Sequence, residues 1–308
     1  MSKNDLVVVT GAGGFIGGHL VRVLQQRGHT KIRAVDVKPL DEWYQKTPGV
    51  ENQVGDLALL EPCRIAAKGA HTIYNLAADM GGIFYSSSAC VYNGEKQTRP
   101  DVTALKEEDA YPAMPEDGYG WEKLFSERMA RHYREDYGLA TRVARYHNVY
   151  GPEGTYDGGR EKAPAAICRK VIAAKLSGKH EIEIWGDGEQ TRSFMYIDDC
   201  TDGTIRLLES DIVEPLNIGS DELVSINRLV DIVEKIAGVK LKRSYKLDAP
   251  KGVRGRNSDN TLIKKLMNWA PSIRLEDGME KTYKWIHDEM TSGRRSVVNA
   301  LPRGVAAQ

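Results

Sequence analysis

The first half of the chain alternates short apolar runs with amphipathic stretches. Three runs rich in β-branched residues, "LVVVT", "KIRAVD" and "TIYNLAA", predict buried strands. The stretch between the first two, "GGHLVRVLQQRG", spaces its apolar residues as a helix does. Strands that alternate with helices predict an α/β fold built on a doubly wound parallel sheet.

The pattern changes after residue 150. The runs "FYSSSACVY" and "TRVARYHNVYG" continue the series of strands, and Gly and Pro then punctuate "GPEGTYDGGREKAP". Two amphipathic helices, "SINRLVDIVEKIAG" and "GMEKTYKWIHDEMTSG", follow. We therefore predict a nucleotide-binding domain over residues 1–150, a smaller C-terminal α/β domain over 151–290, and a loosely ordered tail over 291–308.

The connection between "TIYNLAA" and "FYSSSACVY" is too short for this fold. Only Asp79 to Ile83 separate the two runs, whereas parallel strands need a crossover of about a dozen residues, usually a helix. One crossover helix is therefore missing. Three arrangements stay open: an antiparallel hairpin, an extended passage that drops one strand from the sheet, or exchange of elements between subunits.

Composition narrows the function classes. The chain is 41% hydrophobic and 28% charged, as in ordinary globular proteins, and its 43 basic and 43 acidic residues cancel, which disfavours nucleic-acid and membrane-surface binding. No apolar run can span a bilayer and no signal-peptide pattern is present, so we expect a cytoplasmic protein. Four widely spaced cysteines predict neither a disulfide framework nor a metal site.

A glycine-rich turn follows the first strand. Gly11, Gly14 and Gly17 allow a tight turn, close approach of a pyrophosphate, and close packing of the next helix on the sheet. Asp36 ends the second strand, where a carboxylate accepts hydrogen bonds from ribose hydroxyls and repels a 2′-phosphate. The motif predicts a Rossmann-type domain that prefers NAD to NADP. Asp56 suits the adenine edge, or is simply a solvated loop residue.

Tyr119 and Lys123 lie one turn apart on a predicted helix, as Y-x-x-x-K. A neighbouring ammonium lowers the pKa of a phenol, which would let Tyr119 take a proton from a hydroxyl. Together with the glycine motif and the strand "FYSSSACVY", this pair resembles the extended short-chain dehydrogenase/reductase family. In that family the third serine of such a strand, here Ser88, completes the catalytic hydroxyl trio.

Six further motifs sharpen the resemblance. "NLAADMGG", "SSACVY", "GREKAPAAICRK", "WGDGEQTRSF", "NIGSDE" and "GVRGRNSDN" are similar to those of the GDP-mannose 3,5-epimerases within that family. The resemblance implies oxidation of the mannose C4 hydroxyl to a ketone with NAD, inversion at C3 and C5, and reduction of the ketone. The expected products are GDP-L-galactose, GDP-L-gulose or both, and the expected assembly is a homodimer.

The resemblance also implies an acid/base couple. Inverting a carbon through an enolate needs two proton-transfer groups on opposite faces of the sugar. Cys90 lies two residues after Ser88, which predicts the same strand face, and Lys162 follows in a glycine-rich loop. Both residues have bland alternatives, since a strand cysteine is usually a small buried side chain and a loop lysine is usually solvated.

The expected site residues fall into two sets. The cofactor-binding set is Gly11, Gly14, Phe15, Ile16, Gly17, Asp36, Asp56, Ala77, Tyr119 and Lys123. The substrate-binding set is Gly81, Ser88, Cys90, Asn148, Glu161, Lys162, Ala163, Lys170, Gln190, Thr191, Arg192 and Arg256. In the second set, the guanidinium groups of Arg192 and Arg256 suit the diphosphate, and Lys170 adds a point charge.

The short connection gains meaning from the resemblance. Members of the family have a helix after "DMGG", and roughly thirty residues are missing here between Gly82 and Phe84, about the size of a crossover helix with its loop. We expect reduced stability, altered dimerisation and low or absent activity. The alternative functions are a 4-epimerase or 4,6-dehydratase, and an impaired paralogue that binds GDP-sugar. Ala89 and Cys90, where dehydratases carry an acidic pair, argue against dehydration.

Overall fold

The computed structural model describes residues 2–76, 84–159, 161–249 and 252–292. Its strands are β1 Val7–Thr10, β2 Ile32–Asp36, β3 Glu51–Val54, β4 Thr72–Asn75, β5 Phe84–Ser88, β6 Arg142–Tyr146, β7 Val149–Tyr150, β8 Glu181–Trp185, β9 Thr191–Ser193, β10 Met195–Tyr196, β11 Leu216–Ile218, β12 Leu223–Ser225, β13 Lys242–Lys246 and β14 Gly255–Arg256. Its α-helices are α1 Phe15–Gln26, α2 Leu60–Ala67, α3 Gly118–Tyr137, α4 Ala163–Ser177, α5 Ile197–Glu209, α6 Ile226–Ala237, α7 Thr261–Met267 and α8 Leu275–Thr291.

A seven-stranded sheet forms the centre of the molecule, in the order β11-β6-β5-β4-β1-β2-β3. Every neighbouring pair in it is parallel. All four residues of β1 are buried, as expected for a central strand that is covered on both faces. The Rossmann-type doubly wound sheet predicted from the sequence is confirmed.

Strands β4 and β5 lie side by side and parallel, although their connection is short. Among the described residues two pairs join them, Tyr74 with Phe84 and Asn75 with Tyr85. The parallel pairing excludes the antiparallel hairpin, and both strands stay in the sheet, whereas exchange of elements between subunits stays a prediction. The physical reason is the register: β5 begins where β4 ends, so the chain need not run back along a whole strand. The crossover rule applies to strands that overlap along their length.

On its other side, β5 keeps full pairing. All five of its residues pair with β6, from Phe84 with Arg142 to Ser88 with Tyr146. Among the described residues no helix lies between β4 and β5, and residues 77–83 fall outside the described part of the chain. The shortening therefore costs pairing on the β4 side only.

The second half of the chain adds smaller sheets and a helical layer. Strand β9 pairs with β12 and β14, β8 pairs with β13, and β7 pairs with β10. Helix α4 packs against α6 and α8. Helix α5 and strand β11 return to the large sheet, so a single cut at residue 150 does not separate that sheet from the rest. The two-domain division stays a prediction, and the tail lies outside the described residues beyond residue 292.

Helix α3 has two very different faces. Gly120, Lys123, Leu124 and Glu127 are buried against the sheet. The other face exposes five large side chains at a spacing of four residues: Trp121, Phe125, Met129, Tyr133 and Tyr137. We call these five residues the α3 stripe. Residues four apart share one helix face, so the stripe is a continuous apolar surface.

Candidate active site

The glycine turn leads directly into α1. Gly14 is the N-cap residue and provides no side-chain cap, so the first amide groups of the helix remain open to a ligand. A Cβ atom at Gly17 would lie 2.2 Å from the Gly11 carbonyl oxygen, which leaves no room for a side chain. This bare turn at a helix N-terminus fits a dinucleotide pyrophosphate.

Asp36 is almost fully buried at the end of β2 and fixes the shape of the turn. Its Oδ2 accepts a hydrogen bond from the Gly13 amide at 2.9 Å, and its Oδ1 accepts one from the Lys38 amide at 3.0 Å. Trp43, which the sequence reasoning missed, donates from Nε1 to the Lys38 carbonyl and lies against Gly13. Each carboxylate oxygen keeps a second lone pair, which suits the proposed contact with a ribose hydroxyl.

Asp56 lies further away in the loop after β3. Its Oδ1 accepts a hydrogen bond from the Ala58 amide at 3.0 Å. It is not among the residues that line the main cavity. Its assignment to the adenine edge stays a prediction.

A cavity of about 530 Å³ extends from the glycine turn across the carboxyl ends of β5 and β6. Ligands of open α/β sheets bind at this edge. Of the predicted site residues, the cavity is lined by Gly11, Gly14, Phe15, Ile16, Gly17, Ser88, Cys90, Tyr119, Lys123, Asn148, Lys162 and Arg256. Residues predicted from six separate segments thus meet at one site.

Tyr119 and Lys123 face the sheet from the first turns of α3. The buried Lys123 donates from Nζ to the Ser86 carbonyl at 3.2 Å and lies 5.5 Å from the centre of the Tyr119 ring. The pKa of Tyr119 is raised, mainly by burial and then by the nearby Cys90, although a hydrogen bond with Ser88 opposes the shift. The expectation that the pKa of Tyr119 lies below its ordinary value is wrong for this structure.

Cys90 does not belong to β5. The strand ends at Ser88, and Cys90 lies in a 3-10 turn, Ala89–Val91, whose amide at Cys90 donates to Ser88 Oγ at 3.2 Å. The prediction from strand alternation was therefore wrong in its premise. Both side chains line the cavity nonetheless, because the turn folds the thiol back towards the strand end.

Arg256 reaches Cys90 from strand β14. Its NH1 group donates to the Cys90 sulfur at 3.4 Å, and its Nε donates to Gln97 Oε1 at 2.5 Å. Glu116 lies 3.9 Å from its NH2 group. The sequence reasoning assigned Arg256 to a diphosphate and missed Gln97 and Glu116, which belong to no recognisable motif.

Lys162 lies at the N-terminus of α4. It is the N-cap residue and lines the cavity, and Ala163 is the first residue of the helix. Glu161 accepts hydrogen bonds from the Gly159 amide at 2.7 Å and from Arg169 at 2.9 Å. Burial raises the pKa of Glu161, but these hydrogen bonds outweigh it and leave the pKa below its usual value. Glu161 and Ala163 are not among the cavity-lining residues.

Four other predicted substrate residues lie outside the lining of the cavity: Lys170, Gln190, Thr191 and Arg192. Each donates to a main-chain carbonyl. Lys170 donates to Glu183 at 2.8 Å, Gln190 to Trp185 at 2.9 Å, and Thr191 to Pro100 at 2.5 Å. Arg192 donates to Thr191 at 2.7 Å and Val253 at 2.6 Å, and burial lowers its pKa to about 10.

Two predicted residues, Ala77 and Gly81, lie outside the described residues. Asn148 lines the cavity at a positive φ of 27° and donates from Nδ2 to the Ser193 carbonyl at 3.1 Å. Side chains such as asparagine tolerate this left-handed region better than most.

A buried ion pair holds α3 to the sheet behind the cavity. Arg145 donates to both carboxylate oxygens of Glu127, at 2.9 and 2.7 Å, and Ser87 Oγ donates to the same carboxylate at 2.5 Å. Only 3% of the Arg145 side chain and 2% of the Glu127 side chain are exposed. Glu127 follows Lys123 by one turn, so the pair anchors the helix that carries Tyr119.

Within the described ranges, no group of three or more His, Cys, Asp or Glu residues is placed to hold a metal ion. The same ranges contain no helix that is long and apolar enough to cross a membrane. The lining of the cavity provides hydroxyl, thiol, ammonium and guanidinium groups.

Comparison with known proteins agrees with this geometry. The model of the "NAD dependent epimerase/dehydratase family" matches residues 7–84 and 51–219. The chain is 42% identical to GDP-mannose 3,5-epimerase of Arabidopsis thaliana, over 94% of this chain and 84% of the relative. It is 43% identical to GDP-mannose 3,5-epimerase 1 of Oryza sativa subsp. japonica, over 98% and 87%. These alignments span 322 and 336 positions, more than the 308 residues of the chain, so the relatives hold residues that it lacks.

Solved structures show the same fold. UDP-glucose 4-epimerase from Thermotoga maritima, solved with UDP-glucose, has a TM-score of 0.80 at 23% identity and covers 92% of this chain and 99% of its own. MoeE5, solved with UDP-glucose and NAD, has a TM-score of 0.75 at 26% identity and covers 93% of this chain and 100% of its own.

Proposed function

Because the chain belongs to the NAD dependent epimerase/dehydratase family, and is thus an epimerase-type enzyme with NAD as its cofactor, we propose that it epimerises GDP-mannose at C3 and C5. The reaction passes through a 4-keto sugar and yields GDP-L-galactose, GDP-L-gulose or both. The relatives at 42% and 43% identity, which are GDP-mannose 3,5-epimerases, support this choice of substrate.

One observation carries the proposal: Cys90 and Lys162 line the same cavity as Tyr119 and Ser88. A 4-epimerase needs only the hydroxyl-transfer group beside the cofactor. Inversion of a carbon next to the ketone needs two further proton-transfer groups that approach the sugar from different directions. Cys90 comes from the turn after β5 and Lys162 from the start of α4, so they reach the cavity from separate elements.

The glycine turn and Asp36 would hold the cofactor. Bound NAD supplies the hydride acceptor and donor for C4 of the sugar. The Tyr119 phenolate takes the proton of the C4 hydroxyl and becomes the neutral phenol, and Ser88 holds the C4 oxygen in place. Lys123, anchored on the Ser86 carbonyl, brings positive charge to the phenol and favours its ionised form when a proton is transferred.

The couple then acts on the flanking carbons. The ketone makes the C3 and C5 protons acidic, and one member of the couple removes a proton while the other returns one to the opposite face. The Arg256 guanidinium donates a hydrogen bond to the Cys90 sulfur at 3.4 Å and so fixes the side chain of one member of the couple. Reduction at C4 completes the cycle and regenerates Tyr119.

The test is proton exchange in heavy water. The protein is incubated with GDP-mannose and NAD, and the sugar protons are followed by NMR. We expect deuterium at C5 and C3. Cys90→Ala and Lys162→Ala should abolish this exchange. Cys63→Ala is the matched control, because Cys63 lies in α2, donates to the Leu57 carbonyl and does not line the cavity. Inversion at C4 without exchange at C3 or C5 would identify a 4-epimerase instead.

A second candidate function is GDP-sugar binding without turnover. The contact between β4 and β5 favours it, because Leu76 and Ser86, which follow the paired residues on the two strands, line the cavity. In the same experiment, GDP-mannose would bind with no exchange at any sugar carbon. Calorimetric titration with GDP-mannose beside the NMR experiment separates this outcome from a failure to fold.

For the partner, we propose a homodimer that buries the α3 stripe. Its five apolar side chains form one continuous surface on a 20-residue helix. A stable interface buries about 800 Å² on each partner, which needs such a stripe and its surroundings. Light scattering should give twice the 34.3 kDa of one chain, and Phe125→Glu should give the monomer. A monomeric unsubstituted protein at micromolar concentration would refute the proposal.

A further inference from the structure

The side chain of Gln97 connects the Cys90 turn with strand β14. Gln97 is completely buried in a 3-10 turn, Gly94–Gln97. Its Nε2 donates to the carbonyls of Tyr92 and Asn93, both at 3.3 Å, just after the turn that carries Cys90. Its Oε1 accepts the 2.5 Å hydrogen bond from Arg256.

The main chain of Gln97 is bonded to the residue that precedes β14. The Arg254 amide donates to the Gln97 carbonyl at 2.9 Å. Gln97 is therefore tied to Arg254 by its main chain, to β14 by its side chain, and to the residues after Cys90 by its amide nitrogen. These bonds together set the position of the Arg256 guanidinium relative to the Cys90 sulfur.

Only an amide satisfies both ends of this arrangement. Arginine only donates, so the atom that faces Arg256 Nε must be an oxygen, and two carbonyls accept from the other end, which must carry hydrogen. A carboxylate would also bond Arg256, but it would neutralise the guanidinium charge and set an oxygen against two carbonyls. A neutral partner leaves the full charge of Arg256 directed at the thiol.

We propose that Gln97 is a positioning residue that holds the Arg256 guanidinium against the Cys90 sulfur and so sets the reactivity of that thiol. This inference rests on the proposed role of Cys90 in the acid/base couple. It adds a residue that contacts neither sugar nor cofactor in the proposed reaction. Gln97 acts through Arg256 alone.

Other charged or titratable groups surround the Cys90 thiol and stay unchanged in the test: Lys123, Lys162, Arg192, Glu116 and Tyr119. Among them, Glu116 partly offsets the Arg256 charge from 3.9 Å. Their contribution is common to all variants, so a difference between variants reports the position of Arg256.

The test measures thiol reactivity without any sugar. The full-length protein with NAD is treated with iodoacetamide at pH 7, and alkylation of each cysteine is followed by mass spectrometry. Iodoacetamide is neutral, so the charge of the site does not attract it. Gln97→Met, which keeps the volume and removes all three side-chain hydrogen bonds, should slow Cys90 alkylation about tenfold, as expected when a cation moves from contact to about 5 Å.

Three controls make the result specific. Alkylation of Cys63 within the same sample should not change, and Gln25→Met, which removes a side-chain bond to the Pro48 carbonyl, should leave Cys90 unaffected. Arg256→Met should slow Cys90 alkylation at least as much as Gln97→Met. In the Arg256→Met background, Gln97→Met should have no further effect, because a positioning residue acts only through the group it positions.

The proposal would be overturned if Gln97→Met and Arg256→Met lowered the Cys90 alkylation rate equally and additively. An unchanged Cys90 alkylation rate in Gln97→Met would also overturn it. If Gln97→Met does not fold, Gln97→Asn replaces it: this variant keeps a neutral amide on a side chain one methylene shorter, and slower Cys90 alkylation is expected because the amide no longer reaches both Arg256 and the two carbonyls. Failure of GDP-mannose turnover does not affect this readout, and normal alkylation in Gln97→Met does not affect the sugar-exchange experiment.

Discussion

The buried pair between Glu127 and Arg145 should be one of the most sensitive positions for stability. Glu127→Gln replaces one carboxylate oxygen by an NH2 group that faces the Arg145 guanidinium. The change leaves a buried cation without its counter-ion and removes an acceptor of Ser87. We expect a large loss of stability and only a secondary effect on activity.

The magnitude follows from burial. Removing one partner of a buried ion pair costs about 3–5 kcal/mol, whereas an exposed pair contributes about 0–1 kcal/mol. With an unfolding entropy of about 2.1 cal/mol/K per residue, a loss of about 4 kcal/mol lowers the melting temperature of a chain of this length by about 6 °C. Replacing both partners, as Glu127→Leu with Arg145→Met, should recover part of the loss, because no buried charge remains.

The assay is thermal and urea unfolding followed by circular dichroism. The matched control is Glu135→Gln on the same helix, which removes the exposed pair with Arg131, whose side chains are 44% and 45% exposed. The control should shift the melting temperature by about 1–2 °C at most. Equal shifts for Glu127→Gln and Glu135→Gln would refute the reasoning.

Three further predictions follow from the site and its surroundings. Burial lowers the pKa of His147 to about 3, so below pH 6.5 the unfolded chain binds a proton that the folded chain does not bind. The free energy of unfolding should therefore fall by about 1.4 kcal/mol per pH unit towards pH 4. In urea titrations at each pH, His147→Gln should flatten this slope. Gly120→Ala places a Cβ 2.3 Å from the Cys90 carbonyl oxygen. The substitution should lower the free energy of unfolding by about 1–3 kcal/mol and slow deuterium exchange into the sugar. Unchanged stability and an unchanged exchange rate would contradict the close packing. Tyr119→Phe should slow exchange about 100-fold or more while calorimetry still detects GDP-mannose binding, and retained exchange would exclude Tyr119 as the proton acceptor.

Local sequence patterns predicted the cofactor side of the molecule well. The glycine turn, Asp36 and the Tyr119–Lys123 pair each depend on a short segment whose strand or helix is fixed by its own periodicity. The carboxyl ends of parallel strands meet at one edge, so placing these residues on strands also brought them together. Asn148 was predicted from its place at the end of the run "ARYHN", and Arg256 from the fit of its guanidinium group to phosphate oxygens.

Sequence patterns were least informative where the position of a side chain depends on contacts between distant segments. Lys170, Gln190 and Arg192 have suitable chemistry, but main-chain carbonyls elsewhere in the fold accept their donors. Gln97 and Glu127 have no motif, and their roles exist only because β14 and β6 bring arginines to them. The parallel pairing of β4 with β5 was not predicted for another reason. The register depends on two strands together and cannot be read from the sequence of either strand alone.

The slipped register of β5 also bears on how the molecule opens. In the part of the chain that the structure describes, two residue pairs join the half-sheet of β1 to β4 to the half-sheet of β5, β6 and β11, whereas five pairs join β5 to β6. The weakest seam of the sheet therefore separates the glycine turn from Ser88, Tyr119 and the Cys90 turn. Cooperative units of unfolding tend to separate along such lines of few hydrogen bonds. A ligand that contacts both sides of the seam holds the two half-sheets together. Amide hydrogen exchange in β4 and β5 should therefore slow more on ligand binding than exchange in β6.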